Sequence, residues 1–76
     1  MPGAYFVGRG ESRARCQSIR TAVASINERI AGGGRDIPVW RHSVYGEPDA
    51  VVLGAAPITT LDLAALLKAN DKRRAR

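Results

Sequence analysis

The chain has 76 residues, 45% of them hydrophobic, with a formal charge of +5 and a pI near 10.4. At this length roughly 60% of the unfolded chain's surface can be buried, which excludes a barrel, a doubly wound nucleotide-binding fold and a deep substrate cavity. Twelve of the apolar residues are alanine, so about twenty-two larger side chains must build one thin core. No run approaches the roughly twenty apolar residues that span a bilayer, and no signal peptide opens the chain. The single cysteine, Cys16, admits no internal disulfide and suits a reducing compartment. A soluble, cytoplasmic protein of a bacterium or a host cell is expected, with virion association as an alternative.

Ala4-Tyr5-Phe6-Val7 is a short apolar run rich in strand formers, stopped by Gly8-Arg9-Gly10. A helix is expected from Ser12, a plausible N-cap, to Ala31. Its apolar residues Ile19, Val23, Ile26 and Ile30, with Cys16 and Ala22, span an arc of about 120°. Arg15 falls inside that arc and would have to snorkel or lie near a partner. Gly32-Gly33-Gly34 supplies the left-handed cap that ends the helix.

Ile37 to Tyr45 reads as the longest strand and Ala50 to Leu53 as its antiparallel partner, joined by the Gly46-Glu47-Pro48-Asp49 turn. Pro38 has no amide to donate, which puts it at the strand's start or on an edge. The final helix carries the clearest signals. Thr59 fits as N-cap with Asp62 at N3, Ile58 and Leu63 form a hydrophobic staple, and Leu63, Leu66 and Leu67 form the core-facing stripe. Its end is expected near Asn70-Asp71, although the cations that follow could prolong it.

The expected fold is α+β in the order β-α-β-β-α, a three-stranded sheet packed by two helices. Residues 1–70 form the domain and 71–76 a basic tail. Were the first two strands parallel neighbours, their crossover would be right-handed. Neither face of the long strand is cleanly polar: Ile37, Val39, Arg41, Ser43 and Tyr45 alternate with Pro38, Trp40, His42 and Val44. One face can take the first helix. The other is to be covered by the last helix, by a second copy or by another protein, and two sheet edges stay open for strand addition.

Charge is unevenly placed. From Lys68 onward, five cations face only Asp71, a net of +4, whereas residues 1–67 carry +1. Lys72, Arg73, Arg74 and Arg76 form either a solvated end or an electrostatic grip on phosphate or an acidic surface. Gly8-Arg9-Gly10, placed between a strand and a helix, is a candidate anion contact with Arg9 and Arg13. Arg13 stands where a dinucleotide fingerprint needs its third glycine, and Glu28, at about the usual distance for a ribose-binding acid, falls inside the first helix and not after a second strand, so a dinucleotide site is rejected. An ordinary tight turn is the competing reading.

Cys16 reads as a buried structural thiol. His42 and Ser43 point to opposite faces of a strand and cannot act as a base and nucleophile pair. One histidine and one cysteine make no zinc site, so neither a metal nor any other cofactor is expected. No nucleophile, base and oxyanion donor stand together, so no catalytic residue is assigned and the chain is expected not to be an enzyme. Thr59–Leu67 faintly resembles the first helix of helix-turn-helix domains, but with no turn and recognition helix after it the resemblance covers too little to carry over. Trp40, Arg41 and Tyr45 are residue types enriched at interface hot spots, although Trp40 could equally be the main filler of a small core.

The leading expectation is a non-enzymatic interaction module, a bacterial or phage accessory subunit or inhibitor. It would dock on a larger protein or nucleoprotein assembly through Trp40, Arg41 and Tyr45. The alternatives are a DNA- or RNA-binding module using Arg9, Arg13, Arg20 and the tail, and a self-assembling homo-oligomer. No membrane partner is expected.

Overall fold

Alternation, not helical periodicity, governs the segment after the first strand. The computed structural model describes residues 4–41, 48–54 and 57–74, with side chains as far as Asn70. In it β1 (Tyr5–Val7) turns through a single 3₁₀ turn at Gly10–Ser12 and returns as β2 (Ala14–Cys16). The two strands pair antiparallel, with Tyr5 opposite Cys16, Phe6 opposite Arg15 and Val7 opposite Ala14.

The expected start of the first helix is therefore corrected: α1 runs Ile19–Ala31, not from Ser12. Arg13-Ala14-Arg15-Cys16 alternates with a period of two. As a strand it turns both arginines away from the core, which a helix could not do with Arg15. The N-cap is Ser18, extended at φ −144° and ψ 165°, whose hydroxyl accepts the Thr21 amide at 3.2 Å. Such a cap contributes about 1 kcal/mol.

At the other end the glycine triplet behaves as expected. The Gly33 amide donates to Ile30 O at 2.9 Å and the Gly34 amide to Arg29 O at 2.7 Å, with Gly33 at φ +92°. These are the two bonds and the left-handed residue of a Schellman cap.

The remaining elements are β3 (Ile37–Arg41), β4 (Ala50–Val52) and α2 (Thr60–Arg74). The sheet has four strands in the order β2-β1-β3-β4, every neighbouring pair antiparallel. This corrects the three-stranded sheet and any parallel pairing of the first strand with the long one. The class is α+β, in the order β-β-α-β-β-α. Residues 42–45 of the expected long strand lie outside the described residues.

Pro38 occupies the second position of a central strand, near its start. Its carbonyl accepts the Gly8 amide at 3.0 Å, on the β1 side. A strand residue's N–H and C=O point to the same side, so the missing donor falls just past the last paired residue of β1 and removes no ladder bond. Gly54, at φ +83°, follows β4 where a Cβ would lie 2.6 Å from Gly34 O. Two backbone segments meet there at a distance only glycine permits.

The entry to α2 matches its sequence signals. The Thr59 amide donates to Asp62 Oδ2 at 2.9 Å and the Asp62 amide to Thr59 Oγ1 at 3.1 Å, a reciprocal capping box. Ile58 packs on the core and is clamped by Asn27 of α1, which donates to Ile58 O at 2.9 Å and accepts the Ile58 amide at 2.8 Å. The helix continues through Arg74, beyond the expected stop at Asn70-Asp71. Its buried stripe is Leu63 and Leu67, whereas Leu66 is 39% exposed and leaves the expected set.

One cluster forms the core. Val7 and Cys16 of the hairpin, Val39, Ala50 and Val52 of the other strands, Ala22, Val23 and Ile26 of α1, and Leu63 and Leu67 of α2 all belong to it. Both helices thus lie against the same face of the sheet.

Candidate functional site

With both helices on one side, no helix among the described residues lies on the second face of the sheet. Register places Phe6, Arg15, Pro38, Trp40 and Val51 on it: Phe6 stands opposite both Arg15 and Trp40, and Pro38 opposite Val51. Among these strand positions there is no acid. Phe6 and Trp40 are half-buried, Arg15 is exposed and Val51 is 40% exposed; Leu53, just past β4, is 72% exposed.

Arg13 lies over this surface. Its guanidinium carbon is 5.4 Å from the Phe6 ring centroid and 5.8 Å from that of Trp40. Each such cation–π contact contributes about 0.5–1 kcal/mol at an exposed site. The outcome is an aromatic pair roofed by one arginine and flanked by another. The hairpin creates it, because β2 sends Arg13 and Arg15 to the same side as Phe6. The residues missed from sequence are therefore Phe6 and Arg15, and the signal that could have found them was the Arg-Ala-Arg-Cys alternation.

The expected cluster of Trp40, Arg41 and Tyr45 is not assembled as such. Arg41 shares its side of β3 with Val39 and pairs with Asp49, Nε to Oδ2 at 3.5 Å, while its backbone amide donates to the same carboxylate oxygen. Asp49 is 4% exposed, so this ion pair closes the helix-covered side between β3 and β4. Trp40 and Arg41 face opposite directions. Tyr45 lies outside the described residues.

The candidate anion contacts are separated as well. Arg9 Nη2 donates to Asp36 O at 3.1 Å, whereas the Arg13 guanidinium lies over Phe6 and Trp40. Neither arginine stands at the N-terminus of α1, because a strand intervenes. Arg20 is exposed in the first turn of α1. Lys72, Arg73 and Arg74 continue the backbone of α2, and Arg76 lies outside the described residues.

Cys16 is 3% exposed, and burial pushes its thiol above the ordinary range, partly offset by Arg29 and by a hydrogen bond with Ser25. The protonated thiol is the poor nucleophile of its two forms, which agrees with a packing role. Among the described residues, no group of three His, Cys, Asp or Glu could hold a metal ion, and no helix is long and apolar enough to cross a membrane. Compared with protein-family models, curated proteins and solved structures, the chain matches none of them.

Proposed function

We propose that the protein is a non-enzymatic interaction module that docks on a larger protein through the helix-free face of its sheet. The observation that carries this reading is the grouping of Phe6 and Trp40 beneath Arg13 and beside Arg15, on a face no helix covers among the described residues. Aromatic residues and arginine dominate the energetics of protein interfaces, where they fill desolvated pockets and pair with acidic groups. The partner is a protein surface with an apolar centre and carboxylates around it, and the basic C-terminal residues add encounter rate. An accessory subunit or an inhibitor of a larger assembly fits this chemistry.

The test is affinity capture from nuclease-treated host extract, followed by binding measurements on the captured protein. Trp40→Ala is expected to weaken binding by about 2 kcal/mol or more. Removal of residues 71–76 is expected mainly to slow association. Retained affinity in Trp40→Ala would reject the docking face.

One observation favours a second reading, direct nucleic-acid binding: an arginine stacked on two rings also suits bases of a single strand. That reading predicts loss of capture after nuclease treatment and an affinity falling steeply with salt, with a slope near 0.7 per phosphate contacted on single strands.

A further inference from the structure

Three further arginines, Arg9, Arg29 and Arg35, line a cleft that shares only Pro38 with the proposed docking face. The Gly8–Arg13 loop and the segment from the end of α1 to the start of β3 enclose a shallow cleft of about 410 Å³. Arg9, Arg29 and Arg35 line it with Ser12, Gly8 and a single acid, Asp36. Its size falls within the roughly 300–1,000 Å³ of small-ligand sites.

Three arginines against one aspartate give the lining of the cleft an excess of positive charge. Arg29 Nη2 donates to Ser12 O and Arg9 Nη2 to Asp36 O, while Arg35 is exposed. The Arg29 guanidinium is packed against Gly8, where a Cβ would lie 2.7 Å from Nη1, and its Nε is buried with no hydrogen-bond partner among the described residues. The cleft lies near the C-terminal end of α1, where the helix dipole disfavours anions. There, however, the carbonyls of Glu28, Arg29 and Ile30 already accept the amides of Gly32, Gly33 and Gly34, and the Arg29 charge offsets what remains.

We infer that this cleft binds a phosphate oxyanion, held by the planar donors of Arg9 and Arg35 against the anchored guanidinium of Arg29. Arginine's fork of donors matches phosphate geometry in pairs of bonds, which a scattered surface charge does not. The phosphate comes either from a small phosphorylated ligand or from the backbone of a nucleic acid.

Calorimetric titration of the full chain with sodium pyrophosphate, at constant ionic strength set by chloride, tests this. One saturable site is expected. Arg35→Gln and Arg9→Gln, both at exposed positions, are each expected to weaken it about tenfold. Arg20→Gln, an exposed arginine outside the cleft, is expected to change it less than about twofold. Trp40→Ala is expected to leave it intact, which separates this site from the docking face. A single-stranded oligonucleotide that displaces pyrophosphate assigns the phosphate to nucleic acid, and one that does not assigns it to a small ligand. The absence of a saturable site, or an equal loss in Arg20→Gln and Arg35→Gln, would overturn the proposal.

Discussion

On the helix-covered face of the sheet Val7 and Val39 are fully buried and Ala50 and Val52 are at most 3% exposed, whereas on the opposite face Val51 is 40% exposed and Phe6 and Trp40 are half-buried. The same five strand residues of β3 supply both surfaces, so the difference comes from what lies across from each. The covered face meets α1 and α2 and carries a charged pair, Arg41 with Asp49, at the margin where Asp49 also accepts a backbone amide. The opposite face holds Arg13 over the rings and Arg15 beside Phe6. A small chain with two helices can close one face of a four-stranded sheet. Val51 of the other face stays exposed and Phe6 and Trp40 half-buried, and on the proposed reading these residues serve association.

Substitutions on the two faces should separate stability from binding. The largest effect is expected from Leu63→Ala, which empties a fully buried position between α2 and the sheet; a loss of about 3 kcal/mol should appear as a lower urea midpoint. A loss near that size in Trp40→Ala would erase the distinction. Gly54→Ala is next, at about 2 kcal/mol, because a left-handed backbone and the close approach to Gly34 both oppose a side chain. Trp40→Ala is expected to reduce stability by only about 1 kcal/mol, mainly through its cross-strand contact with Phe6, while its effect on partner binding is the larger of the two. Leu53→Ser should shift the urea midpoint by no more than about 0.5 kcal/mol and still slow or weaken partner capture.

What could be read in advance divides along the same physical line. The α2 entry was legible because capping chemistry is local: Thr59, Asp62, Ile58 and Leu63 lie within six residues and act on one another. The Schellman cap at Gly33 was legible for the same reason. The β1–β2 hairpin was not, since Arg13-Ala14-Arg15-Cys16 is too short for its alternation to outweigh the helical arc that Cys16 seemed to extend. With the hairpin went the fourth strand and the place of Arg13 over Phe6 and Trp40 and of Arg15 beside Phe6. The alternation of β3 did separate Trp40 from Arg41, but the buried Asp49 that holds Arg41 could be identified only once β3 and β4 were paired.

Trp40 is the chain's single tryptophan, so its fluorescence reports on the helix-free face alone. Acrylamide quenching of dilute protein measures directly whether that face is open. Ready quenching of native protein, with protection appearing only when the partner is bound, is the predicted result. A tryptophan that resists quenching in the isolated, dilute chain would place it in a closed interior and contradict the account.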